Sequence, residues 1–544
     1  MKNNKFEIPD SGLLAGAHPV MIVGSGILVL AFVLFTILNP EHASTIYNAA
    51  QNFIAKDLGW YYIGLMSFML FFAVWLIFSR YGNIRLGQDS DRPEFSYFSW
   101  FSMLFGAGIG IGILFWSIAE PIYHFQGNPL ISEAQQQTGE AAQVAMRLAI
   151  FHWGLHGWAL FAVIGLALAY FAYRKGLPLS IRSSLYPLFG DRIYGPIGHA
   201  ADLLAVFGTV FGIATSLGLG AQQMNAGLSY LFGIEVSTAT QVGLIALLSI
   251  FATASVLSGL NKGIRILSEL NMQLTVVILV LFVIFGPTVY VLGAVFTNLG
   301  DYMSHAVQLG LWVDPDPESQ WQGWWTIFYW GWWIAWAPFC GIFIARISKG
   351  RTIREFVAGV LLAPTLLATL WITIFGDAAM YIELFGGGGV VAAVNEDTTM
   401  ALFKTLELLG NGQSVTLLMA GICTLMLITY FVTSADSATL VICTLIAMGD
   451  EHPRTRYRVF WGFAVGAVAA ALLIAGGLKA LQTASIAAAL PFSFIVILAV
   501  VGLYKSLRAE PLQGTAVSAS KQPRVCEEIE AELPKAPVTA SGNL

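Results

Sequence analysis

Charge is scarce in this chain. Asp, Glu, Lys and Arg together make up 11% of its 544 residues, against 57% hydrophobic residues and a mean hydropathy of +0.71. A soluble domain of this size carries far more charge on its surface, so the composition excludes an ordinary globular protein and points to a polytopic membrane protein. Basic runs are also missing, and the net charge is −5, which leaves no nucleic-acid patch. There are only four cysteines. Cys340, Cys423 and Cys443 fall inside apolar stretches and Cys526 lies in the C-terminal tail, so nothing supports a disulfide framework or a thiolate metal site. No HExxH or GxSxG pattern occurs, the catalytic set is empty, and a polytopic membrane enzyme stays a remote alternative. The first residues, MKNNKFEIPDSG, lack a signal-peptide pattern and run straight into a stretch of spanning length.

What is present is a series of apolar stretches, at 20–38, 60–79, 98–123, 144–173, 200–231, 238–259, 267–297, 322–346, 353–377, 413–447, 455–477 and 478–505. They predict an all-α protein with twelve transmembrane helices, the last two meeting at a short turn near Gly476-Gly477. Assigning the N-terminus, 80–97, 174–199, 260–266, 346–354, 448–458 and the C-terminus to one side gathers there all but Lys56, Arg147, Lys404 and Lys479 of the 27 Lys and Arg. By the positive-inside rule that side is cytoplasmic, with both termini on it. Spans three and eight are the most interrupted by Gly or Pro, and they stand five apart. Broken helices at matching positions point to an inverted repeat around a site near the midplane. The expected division is 1–97 with two leading spans, 98–297 as the first five-helix repeat, and 298–321 as a periplasmic connection. The second repeat follows at 322–507, and 508–544 reads as a disordered cytoplasmic tail.

Four stretches carry candidate chemistry. Residues 321–347 hold seven of the sixteen tryptophans, with no charged residue between Glu318 and Arg346. Trp321, Trp324 and Trp325 sit where an interfacial belt belongs. Trp332, Trp333 and Trp336 lie three or four apart on neighbouring helix faces. Pro338 and Gly341 follow, and the spacing predicts a helix broken there. Clustered indoles suit an organic cation without N–H donors, held by cation–π attraction; a Trp-rich packing surface is the plainer alternative. In span three, Gly106, Gly108, Gly110 and Gly112 recur at spacing two. That pattern fits either close helix packing or an unwound segment offering carbonyls to a cation and close approach to a ligand. Span four reads FHWGLHGWALF at 151–161. His152 and His156, four apart, would be able to face one metal ion, although no carboxylate lies nearby in the sequence. Trp158 and Phe161 would be able to wall a cage. Span ten contains Tyr430, Thr433, Ser434 and Asp436. Its hydroxyls either bond back to their own helix or supply the oxygen ligands of a small cation.

Together these stretches resemble the betaine/carnitine/choline transporter family. The likeness rests on the glycine run 106–112 leading to Glu120-Pro121, FHWGLHGWALF at 151–161, FGTVFGIATSLGLG at 207–220, YWGWWIAWAPF with ARISKGRTIREF at 329–356, and TSADSA at 433–438. It runs from about residue 15 to 505. The resemblance implies two leading helices before a five-plus-five inverted repeat of the leucine-transporter type, a homotrimer in the bacterial cytoplasmic (inner) membrane, and onium substrates. It implies a substrate cage of Trp153, Trp158, Phe161 and Trp333, with Trp332, Trp336 and Phe343 along the pathway and Gly108, Gly110 and Gly112 at the glycine segment. It implies sodium, the coupling ion and sole cofactor, at Gly106, Ile109, Tyr430, Thr433 and Ser434, and a second sodium at Thr209, where the hydroxyl four residues on is replaced by Ile213. Ion-independent and proton-coupled members resemble one another in carrying a basic residue in span seven; here that position is Asn271. The function implied is sodium-coupled symport of glycine betaine or a related quaternary ammonium compound. Proton-coupled choline uptake and ion-independent carnitine/betaine exchange are the alternatives. The tail departs from the basic tails of osmosensing members.

Overall fold

The computed structural model describes residues 8–108, 110–258 and 263–510. Ile109 and the tail beyond Glu510 lie outside them. A chain in lipid has to satisfy its backbone groups internally. The described residues accordingly form helices and no strand, with one isolated bridge between Arg85 and Thr352.

In chain order, α1 (Pro19–Leu38) is followed by α2 (Pro40–Asp57) and α3 (Gly59–Phe78). Helix α2 was not expected. It is amphipathic, opens on Pro40 and Glu41, and packs against later helices without being apolar enough to cross. Next come α4 (Tyr97–Gly108) and α5 (Gly110–Gln126), a pair bent by 63° at the glycine run. Then α6 (Gly139–Trp153) and α7 (Leu155–Ala169) form one crossing, Gly139–Arg174. After the short α8 (Tyr186–Phe189) come α9 (Pro196–Phe232), α10 (Thr238–Ser258), α11 (Arg265–Phe285) and α12 (Thr288–Leu311). The remainder is α13 (Trp321–Trp324), α14 (Thr326–Arg346), α15 (Ile353–Tyr381), α16 (Val390–Glu396), α17 (Ala401–Leu408), α18 (Gln413–Ile446) and α19 (Thr455–Arg508).

Ten helical segments are long and apolar enough to cross a bilayer among the described residues, or eleven with the bent pair. The 54 residues of α19 would extend about 80 Å at 1.5 Å per residue, far beyond a hydrocarbon core of about 30 Å. They do not run straight. Gly476 and Gly477 leave helical geometry, with Gly477 at φ 57°, so the chain breaks at the glycine pair where the sequence predicts a turn.

Two expectations need correction. The stretch 267–297 is not one span: Gly286 is extended and Pro287 has no N–H to donate, so α11 ends at Phe285 and α12 restarts at Thr288. The connection after the seventh span therefore begins near 286 instead of 298. Nor does Pro338 break α14, which is continuous from Thr326 to Arg346. The interruption lies earlier, at Trp325 (φ −112°, ψ −81°), which separates α13 from α14. Proline is tolerated inside a spanning helix that neighbours enclose, and Thr326 to Ala345 are all buried. Helix α14 is thus the axis of the bundle. By contrast α1, α10 and α11 are peripheral, with apolar side chains such as Leu30, Ile250 and Val280 turned outward.

Candidate functional site

The six aromatic residues singled out in spans four and eight meet on one side of α14. Trp332, Trp333 and Trp336 lie nearly parallel, with centroid separations of 5.1, 5.8 and 5.9 Å and interplanar angles of 12–17°. Trp153 stands edge-on to Trp333 at 5.1 Å and to Trp332 at 6.0 Å. Phe161 approaches Trp333 at 5.9 Å and Trp336 at 6.4 Å, and Trp158 closes on Phe161 at 5.6 Å. All six are buried. Their faces cover one another, so this is a closed conformation: a cation centred within about 6 Å of two ring centroids requires the rings to part. Phe343 lies further along α14, reached from Trp336 through Phe339.

Glycines allow this crowding. A Cβ on Gly112 would meet Trp153 at 2.7 Å and Trp332 at 2.8 Å, and one on Gly157 would meet Trp333 at 3.0 Å. Gly110 lies under the ring of Tyr430, with no room for a Cβ. Gly108 closes α4, on the near side of the bend.

Span four is broken as well, which the sequence reading missed. Gly154 (φ −95°, ψ −141°) ends α6 and starts α7. A break leaves carbonyls and N–H groups without helical partners. Here side chains take them up: Trp333 Nε1 donates to the carbonyl of His152 at 3.0 Å, and the N–H of Leu155 donates to the Tyr302 hydroxyl at 2.9 Å. The freed carbonyl therefore fixes the central indole. The signal was in the sequence, as Gly154 and Gly157 within FHWGLHGW.

The break also separates the two histidines. His156 stacks on Trp330 at 5.7 Å, while His152 turns to a carboxylate that sequence distance concealed. The two histidines thus have different partners, Glu120 for His152 and Trp330 for His156. Glu120 of α5 is buried; His152 Nδ1 lies 2.6 Å from its Oε1, and its Oε2 accepts from Trp153 Nε1 at 2.9 Å and from the Tyr329 hydroxyl. His124, one turn on, places Nε2 3.5 Å from Oε1 without a hydrogen bond. Glu120 thereby anchors two of the aromatic side chains from behind. An ionisable group in mid-span was the clue available.

The hydroxyl group of residues in span ten gathers at the α4–α5 bend. Thr433 Oγ1 donates to the carbonyl of Thr429 at 2.8 Å and accepts from Asn271 Nδ2 at 2.9 Å. Tyr430 lies against Gly110 and pairs its hydroxyl with Thr275 at 2.7 Å. Ser434 is buried beside them, and Gly106 faces Ser268 of α11. Asp436 accepts from the hydroxyls of Ser255 and Ser437. Thr209 sits on α9 between Gly208 and Gly212, which pack on Ala335 and Trp336 of α14. Its buried hydroxyl has no hydrogen-bond partner among the described residues.

Comparisons with known proteins give the family. Residues 19–512 match the profile described as betaine/carnitine/choline family transporter. The chain is 44% identical over 496 residues to a probable glycine betaine transporter of Desulfitobacterium hafniense, covering 91% of this chain and 98% of that one. It is 43% identical to a glycine betaine transporter of Bacillus subtilis, covering 92% and 96%. It is 42% identical to a high-affinity choline transport protein of Escherichia coli, covering 93% and 74%. This multi-span chain belongs to the betaine/carnitine/choline transporter family.

Proposed function

We propose that the protein is a sodium-coupled symporter of glycine betaine, or a closely related onium compound, working by alternating access in the cytoplasmic membrane. Both termini face the cytoplasm, and three copies assemble. The observation that carries the substrate class is the cluster of Trp153, Trp158, Phe161, Trp332, Trp333 and Trp336, in which Glu120 bonds the N–H edge of Trp153 and not a ring face. Such a site attracts a diffuse, donor-free positive charge. The coupling reading is supported by Asn271. A neutral amide, not a basic side chain, contacts Thr433, so the charge at the α4–α5 bend is left for a mobile cation. The spans would divide as twelve, with α19 counted as two, and spans 3–7 and 8–12 as inverted repeats around this site.

Proteoliposomes carrying an inward sodium gradient test it. Labelled glycine betaine accumulates, and choline, carnitine, ectoine and a dimethylsulfonium analogue compete in proportion to their fit. Accumulation that ignores sodium and follows a pH gradient instead would identify the proton-coupled reading, with choline as the substrate to test first, since the Escherichia coli relative is a choline transport protein.

A further inference from the structure

We propose that Glu120, His124 and His152 form a binding site for a divalent transition-metal ion of the Zn2+ class, and that the bound ion holds the adjoining aromatic gate closed. The three buried side chains come from α5 and α6, and one ligand atom from each lies within 4.8 Å of the others. Glu120 and His124 are four apart on one helix face. Two imidazoles and a carboxylate suit Zn2+, Co2+, Ni2+ or Cu2+ and not Mg2+ or Ca2+, which take oxygen ligands.

His124 supplies an independent reason to look for a ligand. It is completely buried, yet neither ring nitrogen forms a hydrogen bond among the described residues. A buried polar atom left in this way is unfavourable, and a ligand that satisfies it is favoured accordingly. Its Nε2 lies 3.5 Å from Glu120 Oε1. Two tetrahedral ligands of zinc at about 2.0–2.1 Å stand about 3.3 Å apart, so this edge of a coordination polyhedron already exists. The edge between Glu120 Oε1 and His152 Nδ1, at 2.6 Å, is a hydrogen-bonded contact holding one proton. On binding, the proton between them leaves to solvent, so that Glu120 coordinates as a carboxylate and His152 as a neutral imidazole with its N–H on Nε2 toward Thr326. The edge widens by about 0.7 Å, and the ion takes one atom from each side chain with water in a fourth position. Outer partners that orient metal ligands are in place. Thr326 Oγ1 lies 3.0 Å from His152 Nε2, and Trp153 and Tyr329 hold the second oxygen of Glu120.

The ion would tie together parts that have to separate. His124 packs on Trp325 at 4.5 Å and on Trp321 at 5.2 Å, and His152 stacks on Tyr329 at 4.8 Å. An ion that fixes Glu120 also fixes the oxygen bonded by Trp153 of α6 and Tyr329 of α14, and so holds Trp153 beside Trp332 and Trp333. Metal binding stands apart from the substrate reading; the closed gate rests on it.

Co2+ titration of the purified full-length protein, followed by visible absorption, tests the site, with Zn2+ competition in equilibrium dialysis. One ion per chain with the intense bands of four-coordinate Co2+ is expected. His124→Ala should weaken binding at least ~10-fold. His124→Cys should retain it and add a thiolate-to-cobalt charge-transfer band. Absence of saturable binding by the unaltered protein, or equal affinity in His124→Ala, overturns the site. Should His124→Ala fail to fold, the band in His124→Cys decides: its presence upholds the site and its absence removes it. In proteoliposomes, Zn2+ at a free concentration that fills the site of the unaltered protein but not the weakened site of His124→Ala should suppress uptake by the former and spare the latter. Unchanged uptake at full metal occupancy would refute the lock, and it would leave the onium reading intact.

Discussion

Adding one methyl group at Gly112 probes whether the closed aromatic cluster is a state the transporter passes through. The new Cβ would lie 2.7 Å from Cη2 of Trp153 and 2.8 Å from Cη2 of Trp332. Each indole has to retreat by roughly 0.6–0.7 Å to restore ordinary carbon–carbon contact. Neither is free to do so, because Trp153 is tied to Glu120 at 2.9 Å and Trp332 to the carbonyl of Gly212 at 3.3 Å. Overpacking of this kind costs about 1–3 kcal/mol. Alanine favours the helix over glycine by about 1 kcal/mol, but that gain applies to every conformation in which α5 is helical and does not rescue the closed one. The closed conformation should lose population by about 5- to 150-fold. The assay is the initial rate of sodium-driven glycine betaine uptake, with Gly64→Ala as the control, since a Cβ there meets nothing within 4 Å. Gly112→Ala should lower the maximal rate at least about 5-fold while Gly64→Ala leaves it unchanged. Wild-type uptake by Gly112→Ala would refute the reasoning.

Trp333→Ala removes the ring that Trp153, Phe161, Trp332 and Trp336 all touch. Losing a desolvated cation–π partner worth about 2 kcal/mol should weaken onium binding roughly 30-fold, read by calorimetry on protein that still reaches the membrane. Glu120→Gln replaces the carboxyl group that accepts from Trp153 and Tyr329 and contacts His152 by an amide with one acceptor oxygen. A buried donor or acceptor left unsatisfied costs about 1–3 kcal/mol, so substrate affinity should fall about fivefold or more while sodium dependence is retained. Thr433→Ala should raise the sodium concentration for half-maximal uptake without changing the order of preference among onium compounds, and an unchanged sodium curve would remove Thr433 from the ion site. At the end of α19, burial alone would raise the Glu510 pKa. Hydrogen bonds from Lys175, Arg174 and Tyr170 outweigh it and hold the carboxyl below the usual glutamate range. A depressed folded-state pKa contributes stability above the unfolded value and loses it as pH falls through the folded one. Acidification below that range should therefore loosen the α19 terminus, seen as faster amide exchange there, and Glu510→Gln should show the loose end already at neutral pH.

The sequence was most readable where one helix supplies the whole pattern. Trp332, Trp333 and Trp336 share a face because of the 3.6-residue period alone, and the bend at the 106–112 glycines and the break at Gly476-Gly477 follow from the residues that sit there. It was least readable where partners come from different helices. Pro338 signals a break in isolation, yet α14 is enclosed by its neighbours and stays helical, while the real interruption falls at Trp325, two residues past Gly323. Asn271 and Thr433 are 162 positions apart, and only folding shows that an amide meets the hydroxyl. Glu120 is the sharpest case. A carboxylate in mid-span is costly enough to require a purpose, but the sequence reading left it as the end of a glycine run. Its partners His152, Trp153 and Tyr329 lie on α6 and α14, and their approach depends on Gly154 breaking span four. The break that frees the His152 carbonyl for Trp333 also turns His152 away from His156 and onto Glu120. One glycine therefore sets both the orientation of the central indole and the polar cluster behind it, so a substitution at Gly154 should disturb substrate affinity and metal affinity together, whereas His124→Ala separates the two.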